Sequence, residues 1–282
     1  MICNNAHKYS VSAMCDVLQI PRSTYYFHLK KREDNERQAE EADLQERIYT
    51  IFKQSRNNYG TRKIKKELEK QDKIVSRRRI GQIMKYLGLV SNYTVAYYKP
   101  QKKQSNEAKI ANVLNREFQQ EKELSVLVSD LTYVRVGKKW HYVCLFVDLF
   151  NREIVGASAG PNKDAALVYK ALSSIKGNLT NVQLFHTDRG SEFDNQLMIE
   201  ATKGFGIQRS LSAKGCPYDN AVAEATFKSF KIEFVYQKTF HTLEQLELEM
   251  WDHVNWFNHI RIHETLGYLT PAEFKQQYES SK

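Results

Sequence analysis

The sequence predicts an α/β protein: a mixed five-stranded sheet with flanking helices, preceded by all-α helix-turn-helix segments. Three observations lead there. Apolar residues recur at helical spacing up to about residue 90, runs rich in Val, Ile, Tyr and Phe begin at Ser125, and helix-like and strand-like segments then alternate. With 282 residues, 41% of them hydrophobic, the chain is long enough to bury more than one core.

The first segment, residues 1–44, contains "VSAMCDVLQIPRSTYYFHL", which reads as a short helix, a break at Ile20-Pro21 and a second helix that Ser23 is placed to cap. "KKREDNERQAEEAD" follows, almost without apolar residues, and is expected to be a solvated helical connector. Residues 45–100 form a better-defined helical domain. Ile48, Ile51 and Phe52 mark one amphipathic helix, Ile64 and Leu68 a second, and Ile80, Ile83, Met84 and Leu87 a third, punctuated by Ser76 and Gly88. Residues 45–99 carry 14 basic against 4 acidic side chains, which is the footprint of a nucleic-acid binder, because phosphate contacts release condensed counterions. The third helix turns Arg77, Arg78, Arg79, Gln82 and Lys85 outward, as a recognition helix meeting DNA would. Residues 101–124 read as an interdomain linker.

From Ser125 to residue 236 the pattern is a sheet domain. "SVLVSDLTYVRV", "KWHYVCLFVDLF" and "REIVGASAG" predict three antiparallel strands joined by short turns. After them "DAALVYKALSSIKG" reads as a helix, "VQLFHTD" as a strand, "DNQLMIEATKGFG" as a helix, "IQRSLS" as a strand and "YDNAVAEATFKSFKIEFVYQ" as a long helix. Residues 237–282 are expected to be a helical extension of this core. No segment approaches the roughly 20 apolar residues that span a bilayer, and no signal peptide is evident, so a cytoplasmic, nucleoid-associated protein is expected. Cys3, Cys15, Cys144 and Cys216 are too dispersed for a zinc finger or a disulfide framework.

Three carboxylates are unevenly placed. Asp130 lies inside the first strand, where charge is disfavoured; Asp188 follows the fourth strand in "FHTDRGSEF"; Glu224 is in the long helix. If the first and fourth strands are neighbours, the two aspartates stand side by side. Carboxylates so gathered repel unless cations neutralise them, and hard divalent ions suit that task. Asp148, in "FVDLF", is also a strand carboxylate, so residue type alone does not choose among them. Lys231 stands seven residues after Glu224, about 700° around a helix, and so points along the same side. Phe227, Phe230 and Phe234, with Ala223, are expected to anchor that helix to the sheet.

"LVSDLTYV", "VDLFNREIVG", "FHTDRGSEF", "GCPYDNAVAEATFKSFKIE" and "HETLGYLTPAEF", with 35 residues between Asp188 and Glu224, make residues 45–282 resemble the insertion sequence 3 family of bacterial transposases, in the product of the second reading frame. The resemblance implies a ribonuclease H-like, retroviral integrase-like core. It places Asp130, Asp188 and Glu224 as the catalytic and metal-binding triad, leaves Asp148 out, and implies two Mg²⁺ or Mn²⁺ ions. Cutting and joining of transposon ends on DNA follows, with Lys231 and Lys228 holding the DNA end. A homo-oligomer on DNA, and cooperation or fusion with the upstream-frame product, are expected partners. Two other readings share some of these features: a non-catalytic DNA-binding regulator and a plain nuclease of the same fold.

Overall fold

The computed structural model describes residues 2–94, 110–213 and 216–280. Residues 101–109 of the expected linker lie outside them. By contact the chain forms two units: Met1–Lys53 with Ile64–Leu89, and Gln54–Lys63 with Val90–Lys282.

The first unit is helical. It contains α1 (Ile2–Asn5), α2 (Val11–Val17), most of α3 (Arg22–Gln54), most of α4 (Thr61–Glu69) and α5 (Arg77–Tyr86). The charged stretch expected to be a connector is the interior of α3, one unbroken helix of 33 residues. Opposite charges at i, i+4 support it, with Arg32 Nε 2.7 Å from Glu36 and Arg47 Nε 2.9 Å from Asp43. Ser23 falls inside its first turn rather than at its cap. The buried side chains of the unit include Leu44, Ile48, Ile51, Phe52, Ile64, Leu68, Ile80, Ile83 and Met84, the apolar set that the helical spacing marks. Ser76 caps α5, its hydroxyl accepting from Arg79 N at 3.2 Å, and Gly88 takes φ +66° just beyond it.

The second unit carries β1 (Val126–Val136), β2 (Lys139–Asp148), β3 (Ile154–Gly160), α6 (Ala165–Ser173), β4 (Leu184–Thr187), α7 (Gln196–Gly204), β5 (Gln208–Leu211), α8 (Ala221–Glu233), α9 (Leu243–His259) and α10 (Pro271–Ser280). Strand order is β3-β2-β1-β4-β5: the β1–β2 and β2–β3 pairs are antiparallel, and β1–β4 and β4–β5 are parallel. This mixed sheet with helices on both faces is the ribonuclease H-like arrangement. Val136 pairs with Lys139 across a two-residue turn in which Gly137 has φ +56°.

Alternation along the strands divides the sheet into two cores. Val126, Val128, Val134 and Leu184 join Ala223, Phe227, Phe230 and Phe234 of α8 and Val254 and Phe257 of α9. On the other face Leu127, Phe146 and Phe185 join Val168 and Leu172 of α6 and Met198 of α7. The aromatic side of α8 is thus the anchor that its spacing predicts. The helix is shorter than the sequence suggests, because 3-10 turns at Pro217–Asn220 and Val235–Gln237 flank it.

Candidate active site

β1 and β4 run parallel with Val126, Leu127 and Val128 opposite Leu184, Phe185 and His186. Continuing that register by two residues sets Asp130 opposite Asp188. Asp130 is an even-numbered position of β1, on the face where Val128 meets α8, and Asp188 is the first residue after β4. Helix α8 is held there by Asn220, whose Nδ2 donates to Ser129 O at 3.1 Å, one residue before Asp130. Asp219 steadies the approach, accepting from Arg116 Nε at 2.7 Å and from Ala213 N at 2.9 Å. Glu224 then falls in the first turn of α8 and is exposed.

The electrostatics of these groups are linked. Burial, reinforced by the charges of Asp188 and Glu224, pushes the Asp130 carboxyl up to about 7; the Leu131 N–H, 2.7 Å from Oδ1, and Lys231 oppose the shift. Asp188 is also raised, first by burial and then by Glu192, although its side chain reaches solvent. Lys231 is half-buried with Nζ 5.3 Å from the Tyr133 ring centroid. Burial lowers its ammonium, and the charge of Asp130 partly offsets this.

These residues fit a hard divalent cation in donor chemistry: they offer only carboxylate oxygens, and their mutual repulsion is the charge such an ion would offset. Among the described residues no three acidic, His or Cys side chains already converge as a ligand set.

Loop geometry at Asp188 is tightly specified. Gly190 N donates to Asp188 Oδ1 at 3.0 Å, and Arg189 Nε donates to Ser212 O at 2.8 Å. Gly190 does not turn the chain through a positive φ. It is needed because a Cβ there would lie 2.3 Å from Glu192 Oε1. Glu192 is buried and meets Lys163 Nζ at 2.8 Å. Burial opposes charging of Lys163, but Glu192, with Asp188 and Asp130, raises its ammonium overall. Sequence reasoning missed both residues; the sole trace is a Glu set against the buried Phe193. His186 is a structural neighbour, its Nδ1 2.8 Å from Ser210 Oγ and its Nε2 3.1 Å from Ser212 Oγ, and burial pushes it down to about 4.

Asp148 has another occupation. It is fully buried at the end of β2, where Oδ2 accepts from Leu124 N at 2.8 Å and Oδ1 from Phe150 N at 3.0 Å. These bonds close the turn into β3. Arg77, Arg78, Arg79, Gln82 and Lys85 are exposed on α5 in the first unit, and Arg79 pairs with Glu41. Lys228 is exposed on α8.

Family profiles match in three stretches: an HTH-like domain over residues 38–97 and integrase core domains over 120–217 and 224–278. The chain is 27% identical to the transposase for insertion sequence element IS629 of Shigella sonnei, over 97% of this chain and 94% of that protein. It is 26% identical to transposase InsF for insertion sequence IS3A of Escherichia coli (strain K12), over 96% of this chain and 95% of that one. Among solved structures, the HTLV-2 integrase catalytic core domain in complex with magnesium is similar at 14% identity and TM-score 0.40, with 54% of this chain and 96% of that chain covered. The BIV integrase catalytic core domain gives 19% identity, TM-score 0.42, and coverage of 56% and 99%.

Proposed function

Because the chain belongs to the insertion sequence 3 family of transposases, we propose that it cleaves the ends of its insertion sequence and joins the freed 3′-hydroxyl to DNA. Asp130, Asp188 and Glu224 are the catalytic carboxylates in this reading. The observation that carries it is the parallel pairing of β1 with β4, which brings the end of β4 beside Asp130, together with the Asp130 carboxyl raised to about 7 by burial and then by the charges of Asp188 and Glu224.

Asp130, Asp188 and Glu224 would hold divalent ions, Mg²⁺ or Mn²⁺, which when bound as a pair activate the attacking oxygen and stabilise the leaving one. The protein's own groups do the positioning. The β1–β4 pairing fixes the two aspartates, the Gly190 N–H orients the Asp188 carboxylate, and α8 delivers Glu224 from above. Lys231 supplies positive charge toward a phosphate beside the reacting one, without competing for the metal. Cleavage by water and strand transfer by a 3′-hydroxyl are both in-line displacements, so one site serves both. No protein nucleophile is required, and among the described residues no base is hydrogen-bonded to the hydroxyl of Tyr142, Ser191 or Tyr218.

Arg77, Arg78, Arg79, Gln82 and Lys85 bind DNA sequence-specifically in this scheme, and Lys228 and Lys231 hold the end at the core. The protein works as a homo-oligomer on DNA, alone or with the upstream-frame product. Incubating the purified chain with labelled insertion-sequence ends and Mg²⁺ tests the scheme. Joined products support transposition; cleavage without joining supports a nuclease, and shifted but uncut DNA a regulator.

A further inference from the structure

A second basic feature lies in the core unit, a quarter-turn around α8 from Glu224 and Lys231. At 100° per residue, Ala221, Ala225 and Ser229 project between about 60° and 140° from Glu224, with Lys228 at about 40°. They form one wall of a groove of about 810 Å³. The rest is contributed by the segment 58–63, by Tyr93, and by the chain from Phe257 to Tyr268.

Charge in this groove is one-sided. Arg62, Lys63, Arg152, Lys228 and Arg261 line it, against a single carboxylate, Glu264. Two of the cations are matched: Arg261 Nε reaches both oxygens of the buried Glu233 at 2.9 and 2.8 Å, and Arg62 meets Glu264 at 2.9 Å. Lys63 packs its ammonium over the Tyr59 ring, 5.0 Å from the centroid, and among the described residues neither it nor Lys228 has a carboxylate at ion-pair distance. Hydrogen bonding tells the same story independently. Asn58 Nδ2 and Arg152 Nη1 are buried donors with no acceptor among the described residues, and Asn58 is only 4% exposed. A buried donor left unsatisfied is costly, so a groove that keeps two of them beside uncompensated cations is built for an acceptor-rich anion.

We propose that this groove is a phosphodiester-binding site, separate from the carboxylates, in which Lys63, Lys228, Arg152 and Asn58 grip the backbone of a DNA strand passing over α8. A phosphate supplies several acceptor oxygens and one negative charge, matching the two unsatisfied donors and the unpaired ammonium groups. The small Ala221 and Ala225 leave a flat, apolar floor against which deoxyribose rings can lie. An acidic peptide would bring charge but not that alternation of anion and apolar ring. The inference rests on the transposase reading only for the identity of the strand.

The test is fluorescence anisotropy with a labelled single-stranded oligonucleotide of random sequence, in EDTA, across a salt series. Wild type should bind with a clear salt dependence. Lys63→Met and Lys228→Gln should each lower affinity and reduce the slope of log K against log salt by about 0.7, the value for one phosphate contact on a single strand. Lys63→Arg should restore the slope, which separates lost charge from disturbed packing. If Lys63→Met does not fold, the more conservative Lys63→Gln takes its place and decides. Unchanged slopes in the folded variants overturn the proposal. So does loss of poly-glutamate binding with oligonucleotide binding intact, which would assign the groove to a protein partner, or displacement of the oligonucleotide by an equal phosphate concentration of inorganic phosphate, which would assign it to a free anion. A wild type that binds through Lys63 but neither cuts nor joins insertion-sequence ends would leave the groove standing while removing the transposase reading.

Discussion

Lys163 Nζ, on an exposed side chain, sits 2.8 Å from Oε1 of the buried Glu192, beside the loop that presents Asp188. Glu192 occupies the space a side chain at residue 190 would need. A methyl group there would displace the Glu192 carboxylate from its place against Lys163. Gly190→Ala should therefore cost more than a factor of ten in DNA cleavage, with Asp188→Asn-like inactivity as the limit. Glu192→Gln keeps the shape but leaves Lys163 short of its counter-charge, and should lose less. Equal, wild-type cleavage by both variants would show that the loop tolerates the displacement.

Asp130→Asn, Asp188→Asn and Glu224→Gln should each abolish cleavage and joining while preserving the fold. Strand-transfer assays on labelled ends check this, and normal activity in any one removes that residue from the site.

Asp130 also predicts a pH effect on stability. Its folded value of about 7 lies above the ordinary 3.8, so its contribution is fully present below 3.8 and is lost as pH rises through about 7. At pH 8 without divalent ions, Asp130→Asn should melt at least about 2 °C above wild type, and the gap should narrow as pH falls below about 7 and close only as it approaches 3.8. Adding Mg²⁺ should raise the melting temperature of the wild type alone. Calorimetry that finds no gap at either pH would show that the charge is already compensated.

Asp148→Asn should be a stability variant. An amide can accept from either Leu124 N or Phe150 N, but its NH₂ then faces the other donor, at a cost of about 1–3 kcal/mol. Denaturant unfolding should record that loss, while cleavage per folded molecule stays within a few-fold of wild type.

Lys63 predicts how groove binding changes with pH. Burial and Arg261 push it down to about 7, against the pull of Glu233 and Glu264; Arg62, Arg152, Lys228, His263 and Tyr93 complete its charged and titratable surroundings. An arriving phosphate favours the ammonium, so binding takes up a proton, and affinity should fall as pH rises above 7 in wild type but less in Lys63→Met. For the DNA-free protein a depressed ammonium contributes stability at high pH that is lost as pH falls from 10.5 through about 7. Identical pH profiles for the two proteins would show that Lys63 stays out of the binding equilibrium.

Much of the core was legible from period alone. Val126, Val128 and Leu184 alternate, Phe227, Phe230 and Phe234 recur at helical spacing, and both patterns survive folding because burial enforces them. The β1–β4 neighbourhood, and with it the Asp130–Asp188 pair, needed the family resemblance as well. Asp148 shows why: its local sequence looks like that of a ligand, and only the distant Leu124 N–H reveals a cap. The charged stretch expected to be a solvated helical connector is indeed helical, but it runs on unbroken into the segment carrying Ile48 and Phe52, and ion pairs such as Arg32–Glu36 supply helical support that an apolar count ignores. Lys163, Glu192 and the groove at Asn58 and Arg152 were invisible, since each joins segments with no shared sequence pattern.

Parallel pairing of β1 with β4 has a temporal consequence. The two aspartates meet only when a strand ending near residue 187 docks beside one that left the ribosome some 50 residues earlier, and Glu224 arrives later still. A nascent chain that has released its helical first unit can already bear DNA-contacting groups, yet it holds no pair of carboxylates. Competence to break a phosphodiester is thus postponed by topology until synthesis of the core is nearly finished, and a prematurely terminated product ending before α8 would be born harmless to the DNA around it.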